Sequence, residues 1–171
     1  MWRGLKSPLF LLIDKSMIDK DVVNQVVESF IDQADIFVVD IIITNNNHIS
    51  IEIDSFEGVS LDDCVNLSRY IESKIDREQE DYELEVSSAG LTSPFKIHKQ
   101  YIKNTGKEVE VITTTGSKYT GVLKAVSAES IELIVDKTIK PEGSKRKITI
   151  QEEITILLQN IKTTKLIIRF K

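Results

Sequence analysis

Asp81-Tyr82-Glu83-Leu84-Glu85-Val86-Ser87-Ser88-Ala89-Gly90-Leu91-Thr92-Ser93-Pro94-Phe95 is the stretch whose reading decides the fold. Tyr82, Leu84 and Val86 alternate with Glu83 and Glu85, which predicts a strand with one apolar and one charged face. Ser87 to Gly90 then breaks the alternation with small residues, and Pro94 forbids a regular ladder beyond it. The stretch reads as the last strand of one domain running into the link to another. The chain differs in kind on its two sides: helix and strand signals mix before it, and short strand signals follow one another after it.

Charge divides at the same place. Residues 17–90 carry 4 basic and 18 acidic side chains, a net −14, whereas residues 91–171 carry 15 basic and 8 acidic, a net +7. Residues 1–16 add +2, and the whole chain sums to −5. One nucleic-acid-binding surface across the whole chain is therefore not expected. An acidic half suits a basic protein partner and a basic half suits phosphate. Cys64 is the only cysteine, so no intrachain disulfide forms and a reducing, cytoplasmic setting is expected. With two scattered histidines, His48 and His98, beside it, no metal site is expected. No apolar run approaches the roughly 20 residues that span a bilayer. Pro8 to Ile13 follows Arg3 and Lys6 like a short leader, but Asp14-Lys15 stands where a small-residue cleavage site belongs.

Working back from the central strand, Cys64, Leu67, Ile71 and Ile75 form the apolar stripe of a helix. Ser60 is its N-cap, and Asp62 and Asp63 lie in its first turn. Ile49, Ile51 and Ile53 alternate with Ser50, Glu52 and Asp54 as a strand, joined through Asn45-Asn46-Asn47 to a preceding strand over 36–43. That strand is rich in β-branched residues and reads as covered on both faces. Val22, Val23, Val26, Val27, Phe30 and Ile31 recur at the spacing of one helical face after Asp19 as N-cap, with Ser16 a competitor. Residues 1–16 have no clear period and are expected to be a dispensable extension. Residues 17–90 thus form an α-β-β-α-β domain with a three-stranded sheet and both helices on one face. Residues 91–106 are an interdomain link with one helical or irregular turn near 97–102. Residues 107–171 give five strands, at 108–113, 119–126, 130–135, 147–156 and 165–170, which predict a small barrel of the SH3 or Sm type. The fold class is α+β.

Three stretches then carry a family resemblance. Gly58-Val59-Ser60-Leu61-Asp62-Asp63-Cys64, Ser68-Arg69-Tyr70-Ile71 and Tyr82-Glu83-Leu84-Glu85-Val86-Ser87-Ser88-Ala89-Gly90-Leu91 resemble, in that order, motifs of the bacterial ribosome maturation factor RimP family. Ala89, Ser93 and Phe95 stand where that family commonly has proline, arginine and leucine. The loss of arginine removes a cation from the link and leaves its structural part intact. The resemblance implies an α/β N-terminal domain and an Sm-like barrel. It also implies a non-enzymatic factor, without cofactor or small-molecule substrate, that binds the free or immature small (30S) ribosomal subunit. The charge division suggests that the acidic domain meets a basic ribosomal protein while the basic barrel meets 16S rRNA. A monomer is expected. The alternative is an Sm-like regulator of messenger or small RNA, which would form rings.

The candidate rRNA contacts are Lys137, Lys140, Lys145, Arg146 and Lys147, with Lys162 and Lys165 joining them if the barrel closes. The opposing reading of these lysines is a guarded edge strand. Ser87, Ser88, Gly90, Leu91 and Pro94 are the candidate interdomain or ribosome-binding loop. Asp62-Asp63 invites a magnesium or acid–base reading, but acids in a first helical turn are more often dipole and capping partners. Ser87-Ser88 lacks a nucleophile elbow and a histidine positioned as base, so no catalytic residue is assigned. Few aromatics lie in the barrel region, so base stacking on a single-strand platform is not strongly indicated, and shape and backbone recognition or protein contact is expected instead.

Overall fold

The computed structural model describes residues 18–170. The expectations placed on residues 1–16, including Ser16 as a cap, lie outside them. The chain divides into two compact units between Ala89 and Gly90.

In the first unit, helix α1 spans Lys20–Ile31 and starts at Asp19, whose carboxylate accepts the Asp21 amide N–H at 2.9 Å. Strands β1 (Phe37–Ile43), β2 (His48–Asp54) and β3 (Glu83–Ser88) form a sheet in the order β1-β2-β3. β1 and β2 are antiparallel; β2 and β3 are parallel, with Ile49 opposite Leu84 and Ile51 opposite Val86. A parallel pair needs a crossover, and helix α2 (Leu61–Lys74) supplies it. Asn47 allows the tight β1–β2 turn with φ +57°, a conformation asparagine tolerates. Its side chain also accepts from the Ile18 amide and donates to the Asp81 carbonyl, tying the start of α1 to the entry of β3.

Val23 and Val27 of α1, Leu67 and Ile71 of α2, and Ile49, Ile51 and Ile53 of β2 are fully buried in one cluster. Both helices therefore cover the same face of the sheet. Two details differ from the sequence reading. Val22 is 47% exposed, because the stripe of α1 is centred on Val23 and Val27. β1 is covered on both faces only as far as Ile41. The register shifts between Val38 and Asp40, which changes which residues face the helices, and Ile42 is left 51% exposed.

In the second unit, the segment expected to link the domains carries helix α3 (His98–Lys103). Gln100 organises it: its side-chain oxygen accepts the amide N–H groups of Lys96 and Ile97. Tyr101 packs edge-on against Phe95, is buried in the core of this unit and donates its hydroxyl to Thr164 Oγ1 at 2.9 Å. Five antiparallel strands follow: β4 (Glu108–Thr113), β5 (Lys118–Val126), β6 (Ser130–Ile139), β7 (Ile148–Leu157) and β8 (Ile161–Leu166). Their order in the sheet is β7-β6-β5-β4-β8. The last strand lies earlier than the 165–170 expected, since Thr163 and Thr164 face β4 and Thr164 is fully buried.

The expected barrel is a five-stranded antiparallel sheet that is not closed by pairing of β7 with β8 among the described residues. Closure fails at the level of hydrogen bonds, yet the sheet still curls. β7 and β8 are its two edges, and a flat sheet would hold them about 19 Å apart at roughly 4.8 Å per strand. A single 3₁₀ turn, Leu158–Asn160, joins them, and such a turn rises only about 2 Å per residue. The edges must therefore converge at that end. A bulge on β5, where the register shifts between Leu123 and Ala125, supplies curvature. Val109, Val111, Leu123, Ile131 and Leu133 fill the inside of the curl. Gly121 permits the close approach of β5 to β6: a Cβ there would sit 2.3 Å from the Ile134 carbonyl oxygen.

Candidate nucleic-acid interface

Strand pairing places the predicted cations. β6 and β7 pair over ten residues, from Ser130 opposite Leu157 to Ile139 opposite Ile148. β5 accompanies β6 only as far as Val135, opposite Gly121. Beyond it the hairpin continues as a two-stranded arm. The lysine-rich stretch over residues 137–147 is thus largely an extension of regular strands, with Gly143 (φ +79°) in the turn at its tip. One face of the arm continues the core face outward as Lys137, Ile139, Ile148 and Ile150; the other carries Asp136, Thr138, Thr149 and Gln151. Ile148 and Ile150 are 45% and 38% exposed.

Lys137 lies within the arm and pairs with Glu152 at 3.2 Å. Lys140, Lys145, Arg146 and Lys147 flank the tip and are exposed, and none of them is in an ion pair among the described residues. Lys118, Lys124 and Arg169 contrast with them. Lys118 holds Glu110 at 2.8 Å, and Lys124 holds Glu153 at 2.8 Å and Glu132 at 3.9 Å. Arg169 makes a two-pronged contact with Glu108 at 2.6 and 2.8 Å, and these contacts push its pKa up further. Cations with built-in carboxylates are neutralised by the fold; those at the tip keep their charge for an external anion. Ser144 shapes the tip: its Oγ accepts the Arg146 amide N–H at 3.1 Å. Lys162 and Lys165 are not brought to this cluster by strand pairing, because β8 is the opposite edge of the sheet.

The serines of the central stretch are backbone-paired. Ser87 and Ser88 lie on β3 opposite Glu52 and Ile53, and the Ala89 amide donates to the Ile53 carbonyl at 2.8 Å, extending the ladder by one residue. Gly90 accepts the Ser93 amide N–H in a turn, Leu91 is 70% exposed, and Pro94 is exposed. A Cβ on Gly90 would lie 2.5 Å from Ser93 Oγ, the hydroxyl that stands where the family commonly has arginine.

The sheet face of the first unit turned away from its helices is acidic. Asp40 lies opposite Glu52, and Glu83 and Glu85 lie opposite His48 and Ser50 on the same face. His48 Nε2 is 3.6 Å from Glu85. Asp63, one of the two paired acids, closes a capping box: Ser60 Oγ accepts the Asp63 amide N–H at 3.2 Å, and Asp63 Oδ2 accepts the Ser60 amide N–H at 2.8 Å. Those bonds lower its pKa. Cys64 is buried, and burial pushes its thiol pKa up, away from the reactive thiolate. His98 Nε2 donates to the Ser127 carbonyl at 2.7 Å, fastening α3 to the β5–β6 turn. Among the described residues no cluster of three or more His, Cys, Asp or Glu is arranged to hold a metal ion, and no helix is long and apolar enough to cross a membrane.

Sequence reasoning missed the arm and the structural use of Gln100. The sequence predicts the strand at 147–156 but ends the one before it at Val135, whereas that strand continues to Ile139. β-Branched Thr138 and Ile139 were the available signal for the arm, and glutamine at the third helical position for the cap.

Residues 24–92 match the family model described as the RimP N-terminal domain. A ribosome maturation factor RimP of Porphyromonas gingivalis is 44% identical over 146 residues, which cover 85% of this chain and 96% of that protein. The ribosome maturation factor RimP of Christiangramia forsetii is 37% identical over 153 residues, covering 88% of this chain and 99% of that one.

Proposed function

The chain belongs to the RimP family of ribosome maturation factors, and on that premise we propose that it is a non-enzymatic assembly factor for the small (30S) ribosomal subunit, acting on the free or immature particle in the cytoplasm. The observation that carries the reading is the β6–β7 arm. A two-stranded ribbon is marginal by itself, and this one ends in four cations that no carboxylate among the described residues neutralises. Lys140, Lys145, Arg146 and Lys147 meet 16S rRNA phosphates, while Lys137 steadies the arm through Glu152. The carboxylate-bearing sheet face of the first unit meets a basic ribosomal protein. The Ser87–Pro94 segment joins the two units covalently, so each weak contact raises the effective concentration of the other. The curled five-stranded sheet supports reading the second unit as a variant of the Sm-like barrel, and the protein acts as a monomer.

Sedimentation of the protein with separated small subunits, large subunits and intact ribosomes tests this. Co-migration with small subunits alone, with a log–log salt slope of about −2 to −4, is the expected result. Absence from every ribosomal fraction, combined with ring formation and binding to messenger or small RNA, would replace this reading with that of an Sm-like RNA regulator.

A further inference from the structure

The curl of the second unit builds a hollow that the arm does not use. Where the β4–β5 turn meets the β7–β8 junction, a cavity of about 450 Å³ opens, lined by Thr114, Thr115, Tyr119, Thr155, Ile156 and Asn160 among others. Its walls are fixed in advance. The Thr114 amide donates to the Asn160 carbonyl at 2.8 Å, and Thr113 Oγ1, held by Thr115 and Ser117, pins the turn. Yet the side chains of Thr114, Thr155 and Asn160 and the Tyr119 hydroxyl make no hydrogen bond among the described residues. Among the described residues no charged side chain lines the hollow. It therefore offers no cation to hold a free phosphate or carboxylate. It presents a half-buried aromatic ring, the apolar side of Ile156, and groups able both to donate and to accept.

We propose that this hollow receives one unstacked base of single-stranded RNA, with the Tyr119 ring as its apolar wall and Asn160, Thr155 and Thr114 meeting its polar edge. A neutral, flat ligand with donors and acceptors around its rim is what such a lining recognises, and protruding bases in RNA loops and bulges present that chemistry. Lys162, two residues beyond Asn160, is exposed and in no ion pair among the described residues, so a cation stands close by in sequence for the backbone of the same strand. The inference rests on the RNA-binding reading above. It adds to that reading a second, base-directed site, on a turn and a strand junction apart from the arm.

The test uses the full chain and a ten-nucleotide single-stranded RNA carrying 2-aminopurine, with the duplex of the same sequence as control. The variant N160A/T155V removes polar edges at exposed positions, and Y119L removes the ring. Expected are a change in 2-aminopurine emission on binding, a loss of about fivefold or more in single-strand affinity for N160A/T155V and for Y119L, an unchanged salt slope, and unchanged duplex binding. Single-strand binding that neither variant weakens, or equal loss on the duplex, would overturn the base site while leaving the arm reading standing. Absence of binding to either RNA would overturn both.

Discussion

The two sheets of this protein solve the same problem in opposite ways. The three-stranded sheet of the first unit buries one face under α1 and α2 and lines the other with carboxylates. The five-stranded sheet of the second buries one face within its own curl, assisted by α3, and sends two strands past its core as a cationic arm. A helix-covered sheet leaves a broad, flat surface for a partner; a self-covered sheet leaves edges, turns and an arm. The difference teaches that the opposite charges of the halves have opposite geometries. Carboxylates of the first unit line a sheet face, and four cations of the second that have no carboxylate partner among the described residues gather at a tip.

The largest expected effect breaks the comparison at its cores. Leu67→Ala in the first unit and Leu133→Ala in the second each remove a fully buried side chain and are expected to destabilise by about 2–5 kcal/mol. Urea unfolding followed by amide signals from each unit should show each variant lowering mainly its own unit's transition. If both variants moved both transitions equally, the units would not be independent. Gly121→Ala, whose added carbon meets the β6 backbone, should cost about 1–3 kcal/mol and register only in the second unit.

Replacing Lys145, Arg146 and Lys147 by serine sharpens the comparison at the tip. The salt slope of small-subunit binding should fall by about 2 to 3, with folding unchanged. An unaltered slope would move the phosphate contacts off the arm. Ser60→Ala is smaller, about 1 kcal/mol, and confined to the first unit.

The least effect is acid sensitivity at the same cap. The hydrogen bonds from Ser60 hold the folded Asp63 carboxyl below its ordinary value. Protons therefore bind the unfolded chain more readily, and the stabilisation is present above the unfolded pKa of about 4. It is lost as pH falls through the lower, folded value. Asp63→Asn should flatten that part of the acid unfolding curve, measured by far-ultraviolet circular dichroism.

By itself the sequence determined the α-β-β-α-β order, the Ser60 and Asp19 caps, the helical stripes and the presence of five later strands. Each of these is a local pattern set by side-chain period, capping chemistry or turn residues. The opposed charges of the halves were equally legible, because charge needs no fold to be counted. Only the tertiary structure decided the rest. Strand register made the lysine-rich stretch over 137–147 an arm, and the bulge near Val39 turned Ile42 outward. The one-turn link from β7 to β8 forced the sheet to curl without closing. Pairing also separated the cations with carboxylate partners from those without. These features depend on which strands meet and where, and pairing across distant positions leaves no period in the chain to read.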